Sequence, residues 1–170
     1  MKTDFVQWTA LCAALFLSSP LTPDAAIAGP GKNGHSHHSH DEDQQAYGQP
    51  GDPKKPAREI AILMNEGDGS MSFEPNRIEI RKGEQIRFKL KNEGELDHEI
   101  VIATREENLE HAKEMAKNPD MEHDDPNAKR LKPSEEAEIL WHFTKSGEFD
   151  MSCLIPGHLE AGMTGTILVK

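Results

Sequence analysis

Aromatic residues make up only 5% of this 170-residue chain, cysteines number two, and 19 Lys and Arg face 30 Asp and Glu. Each shortage excludes something. With few aromatics and 35% hydrophobic residues, the chain can fill one small core, in keeping with a domain size of about 100–150 residues. A formal charge of −11 with no basic stripe excludes a nucleic-acid partner, because phosphates are neutralised by clustered Lys and Arg. No apolar run reaches about 18 residues, which excludes a polytopic membrane protein. What the chain has in quantity is metal-donor chemistry: 9 His and 7 Met beside the 2 Cys.

The N-terminus has the layout of a secretory signal. Lys2 and the free amine open it, Val6 to Leu17 is mostly apolar, and Ser18, Ser19 and Pro20 break the run. Ala26-Ile27-Ala28 fits the small-x-small cleavage rule, so residues 1–28 are expected to leave and the remainder to reach the periplasm, without stable membrane insertion. Asp4 cancels Lys2, and an uncleaved anchor is the competing reading. Cys12 departs with the signal and Cys153 stays alone. A single Cys forms no internal disulfide in an oxidising compartment. Cys153 is therefore protected either by burial, as a small hydrophobe, or by a metal.

Residues 29–57 read as a flexible tail, rich in Gly and Pro and nearly free of apolar side chains. Such composition buries too little surface to offset ordering entropy. Within it, His35, His37, His38 and His40 precede Asp41, Glu42 and Asp43. Imidazoles this close can chelate Cu(II), Zn(II) or Ni(II) with little selectivity; a solvated polar linker is the plain alternative.

From Arg58 the pattern turns to period two. Ile60, Ile62 and Met64 alternate with Ala61 and Leu63, and Ile86, Phe88 and Leu90 with Arg87 and Lys89. Ile78 and Ile80, Ile100 and Ile102, Ile139, Trp141 and Phe143, then Phe149, Met151 and Cys153, and finally Ile167 and Val169 repeat it. Short one-face-buried strands at this density predict an all-β Greek-key sandwich over residues 58–170, read here as antiparallel. One segment differs. Thr104-x-x-Glu107 is a capping-box signature, and Leu109, Ala112 and Met115 or Ala116 follow at helical spacing until Asn118-Pro119. A helical insertion is expected over about 105–128.

The chemistry concentrates near the C-terminus, in Cys153-x4-His158-x4-Met163. A thiolate, an imidazole and a thioether lie on a loop between two strands, Glu148–Cys153 and Thr164–Val169 by the pattern. Pro156-Gly157 supplies the turn that returns His158 toward Cys153. A second imidazole must come from elsewhere, and His98, beside the alternating run at Ile100, is the candidate. Two His, one Cys and a weak axial Met form the ligand set of a blue-copper site: soft sulfur suits Cu(I), and imidazole suits both oxidation states. Leu154, Ile155 and Leu159 would form a hydrophobic collar that excludes water. Taken singly, Met163 would be core, His98 a hydrogen-bonded sheet histidine, and His142, next to Trp141, a solvent-facing one. A thiol enzyme using Cys153 and His158 lacks an acid to orient its base.

Three stretches resemble the cupredoxins, the plastocyanin/azurin family. They are Phe73-Glu74-Pro75 with Ile78 to Phe88, then Asp97 to Ile102, then Phe149 to Val169. The resemblance implies a Greek-key sandwich and one type 1 copper, cycling between Cu(I) and Cu(II), held by His98, Cys153, His158 and Met163. Loop spacings differ from those of azurins and plastocyanins, and Glu99 stands where both usually place Asn. The chain is more similar to periplasmic cupredoxins linked to bacterial copper tolerance, which carry His-rich leaders and a similar insertion.

A second copper site is expected in the insertion, from His111, Met115, Met121 and His123; core packing of Met115 is its competitor. Met64, Met71 and Met151 are expected to be packing residues. The leading function is copper handling for tolerance, by a monomer. The alternative is a soluble one-electron carrier with a periplasmic redox partner, docking through Leu154, Ile155, Leu159 and Ala161. A multicopper enzyme needs His clusters on further domains, and a single small domain has no place for them.

Overall fold

Alternation of apolar and polar side chains builds ten strands and one helix in the computed structural model, which describes residues 45–119 and 125–170. The strands are β1 (Gln49–Pro50), β2 (Arg58–Gly67), β3 (Ser70–Glu74), β4 (Arg77–Ile80), β5 (Gln85–Asn92) and β6 (His98–Ala103). Helix α1 (Arg105–Lys117) follows, then β7 (Ala128–Leu131), β8 (Glu136–His142), β9 (Gly147–Ser152) and β10 (Thr164–Val169). One sheet has the order β1-β8-β5-β2-β3 and the other β4-β10-β9-β6-β7.

β5 shows the period-two logic most clearly. Ile86, Phe88 and Leu90 are buried, with Trp141, Ile139 and Ala137 opposite them on β8. On the other face, Arg87 and Lys89 both pair with Glu138. The facing sheet contributes Ile100, Ile102, Phe149, Met151 and Ile167 to the same core. Each fully buried side chain of this size contributes roughly 1.5–3 kcal/mol, so Phe88→Ala would cost about 3–5 kcal/mol.

The sandwich is not purely antiparallel. β2 runs parallel to β5, and β4 parallel to β10. Alternation reports which face is buried and carries no information on a partner's direction, so the antiparallel expectation fails at these two pairings. The linker expectation also fails for its last residues. Tyr47 is buried and stacks on Trp141, with ring centroids 5.7 Å apart, and its carbonyl accepts from Trp141 Nε1 at 2.8 Å. β1 then pairs with β8. One aromatic and a pair of backbone bonds suffice to order a Gly/Pro-rich stretch against a large apolar neighbour.

The helix begins where the capping box places it. Thr104 accepts from the Glu107 amide, and Glu107 returns a bond to the Thr104 amide at 3.0 Å. Its buried stripe holds Ala112 and Met115 as expected but departs at Leu109. Leu109 is 44% exposed, while Asn108 is buried and donates to the Val101 carbonyl at 3.4 Å. The inward positions are Asn108, Ala112 and Met115, and Met115 packs with Val101, Ala128 and Leu154 in a small second core between helix and sheet.

Candidate metal centre

β6 and β9 are antiparallel neighbours, with Val101 opposite Ser152. The first residue of β6, His98, and the residue after β9, Cys153, therefore lie at one end of the sheet. β10 starts opposite the end of β9, Thr164 against Ser152, so residues 153–163 form a closed loop. The Cys153 amide donates to the Met163 carbonyl, and the Met163 amide donates to the His158 carbonyl, both at 3.0 Å. Inside the loop the His158 amide donates to the Ile155 carbonyl at 3.0 Å, closing a turn over Pro156-Gly157. Gly157 has φ +91°, a conformation that glycine adopts at low cost. The expected turn is present, and it returns the imidazole to the thiol.

Donor atoms of His98, Cys153 and His158 all lie within 4.8 Å of one another. The two imidazoles face each other through Nδ1, 3.3 Å apart, and Cys153 Sγ is 3.4 Å from His158 Nδ1. His98 and Cys153 are fully buried and His158 is 9% exposed, so the third donor alone reaches toward solvent. The Met163 side chain is buried in the same core as Cys153. Sγ accepts from the Glu99 amide at 3.3 Å. The residue after His98 thus braces the sulfur through its backbone although its side chain is not Asn.

Burial controls the acid–base state of these donors. It pushes the Cys153 thiol up to about 12, against the amides of Glu99 and Ile155, which favour the thiolate. It pulls His158 below the ordinary histidine range, with the neighbouring His98 adding to the effect. Two imidazoles and a desolvated sulfur around one point form a set whose lone pairs suit a soft cation. The donor set, its convergence and its dryness fit copper.

Two residues that shape the centre are absent from the sequence reading. Glu66, at the end of β2 in the opposite sheet, places Oε2 2.5 Å from His98 Nε2. Asn92 is fully buried; its Nδ2 donates to the carbonyls of Leu96 at 2.7 Å and Leu131 at 3.1 Å, and its Oδ1 accepts from Gly94 at 2.9 Å. It shapes the loop that delivers His98. Asn-x-Gly in this loop was a readable turn cue, whereas an isolated Glu in a charged chain offered none.

The other predicted residues fall as follows. Leu154 is buried beneath α1 rather than in the collar, whereas Ile155 and Leu159 are half-buried within the loop. His142 is half-buried, with Nε2 3.2 Å from the Gly83 carbonyl. Met64 and Met151 are core residues, and Met71 packs against that core with its amide on the Ala161 carbonyl at 3.0 Å. His111 and Met115 occur together on α1. Met121 and His123, like His35, His37, His38 and His40, lie outside the described residues.

Residues 60–170 match the copper-binding proteins of the plastocyanin/azurin family. The chain belongs to that family, and copper is its cofactor. Within the family it is similar to the copper-resistant cuproprotein CopI of Rubrivivax gelatinosus, 39% identical over 177 aligned positions that cover all of both chains. CopI of Pseudomonas aeruginosa is 34% identical over 155 positions, covering 74% of this chain and 83% of that one. Among solved structures, auracyanin of Roseiflexus castenholzii superposes with a TM-score of 0.56 at 23% identity, over 68% of this chain and 99% of that one. That likeness shows the cupredoxin fold.

Proposed function

We propose that this protein is an exported, periplasmic type 1 copper protein serving copper tolerance. His98 and His158 would bind copper through Nδ1, Cys153 through Sγ, and Met163 as a weak axial donor. The observation that carries the reading is the convergence of three buried donors within 4.8 Å. Full-length similarity to proteins named for copper resistance supports the tolerance role. Bound copper supplies a one-electron couple. The chain's part is to hold the donors in place before the metal arrives, exclude water with the surrounding core, and release the Cys153 proton. The leader histidines and a weaker site from His111, Met115, Met121 and His123 would add capacity. A pure carrier needs neither, although the partial exposure of His158 suits electron exit and keeps that reading as the alternative.

A copper titration that counts equivalents while following the thiolate-to-copper absorption tests this. One equivalent saturating the band, with further equivalents bound silently, is expected. A single equivalent in total would favour the carrier, and a colourless protein would refute the type 1 site. In Cys153→Ser the band is expected to vanish while silent binding persists; a retained band would overturn the ligand assignment.

A further inference from the structure

We propose that Glu66 is a positioning residue for the copper centre. It accepts the Nε2 proton of His98, keeps the imidazole in the tautomer with a bare Nδ1, and strengthens it as a donor to the oxidised metal. The inference rests on the copper reading above.

The carboxylate sits in a built seat. Its Oε2 lies 2.5 Å from His98 Nε2, and its Oε1 accepts from the Leu96 amide at 2.9 Å and from the Glu95 amide. A Cβ on Gly94 would come 1.8 Å from Oε2, so a side chain there would collide with the carboxylate. Glu66 itself is held near the tip of the β2–β3 hairpin, opposite Met71, where Asp68 and Gly69 turn with φ 51° and 78°. Positive φ at both central residues marks a type I′ turn, whose twist matches the strands. The brace thus reaches from one sheet to a donor on the other.

Its effect on the metal follows from the imidazole's two nitrogens. A proton on His98 Nδ1 would point at His158 Nδ1, 3.3 Å away, into the space where the donors converge. A carboxylate at Nε2 holds the proton on the far side of the ring. It also raises ligand basicity, as second-sphere carboxylates do on metal-bound histidines. Added donor strength stabilises Cu(II) more than Cu(I).

The first test uses metal-free, 15N-labelled protein. His98 is expected as the Nε2–H tautomer, and a proton on Nδ1 would overturn the proposal without any variant. In Glu66→Gln the amide has one acceptor oxygen for three donors. Mixed His98 tautomers are expected, with Cu(II) affinity reduced about 10–100-fold and Cu(I) affinity reduced less, so the reduction potential rises. Gly94→Ala, which keeps the charge but blocks the seat, is expected to move tautomer and potential in the same direction. Wild-type tautomer and potential in a Gln variant of unchanged melting temperature would overturn the proposal. Since the tautomer is read without copper, a sound brace in a protein with no blue site would sink only the copper reading.

Discussion

A thiol that water cannot reach keeps its proton, and this sets the first expectation at Cys153. Burial pushes its pKa to about 12, so at pH 7 the metal-free protein holds S–H. His158 is pulled below the usual range and is already neutral at that pH. Metal uptake must therefore expel the thiol proton. We expect Cys153 to release one proton per copper at pH 7, and the apparent affinity to rise with pH from neutrality upward. A pH-stat titration in weak buffer reads the first, and competition with a chelator of known affinity reads the second. Uptake without proton release would mean that the thiolate exists before the metal. At Met163 the expectation differs. If Met163 is the axial donor proposed above, Met163→Leu keeps the packing and the thiolate band but removes that donor, so the potential measured by redox titration should rise.

Helix α1 ends its chain of contacts one residue from Cys153, since Met115 packs with Leu154 and Leu154 follows Cys153. Thr104→Ala breaks the capping box and should cost about 1 kcal/mol of unfolding free energy, leaving the thiolate band unchanged. Met115→Leu separates the helix's two roles. It keeps the packing, so stability should hold to within about 1.5 kcal/mol. If the thioether also serves a second site, the count of silent copper equivalents should drop; an unchanged count would reduce Met115 to core. One position of the helix face departs from its periodicity. Periodicity counts apolar residues and so selects Leu109, whereas the fold buries Asn108 because the Val101 carbonyl offers its amide a partner. Only the neighbouring strand could reveal that bond.

Across the whole molecule, the two sheets share one core, and the stretch before β2 belongs to it. Tyr47 closes over Trp141, so Tyr47→Ala should lower stability by about 3 kcal/mol, read by denaturant unfolding. Among the described residues no helix is long and apolar enough to cross a membrane. The sequence by itself determined the strand faces, the capped helix and the Cys153, His158 and Met163 loop. Those features are written in local periodicity, turn chemistry and donor type, which need only neighbours along the chain. Tertiary structure alone decided the parallel pairings of β2 and β4, the ordering of Tyr47, the burial of Asn92 and Leu154, and the reach of Glu66 to His98 across the sandwich. Each depends on groups far apart in sequence, as Glu66 and His98 are by 32 residues. A carboxylate's choice of partner is set by where packing leaves a dry donor within reach, and no spacing along the chain encodes that distance.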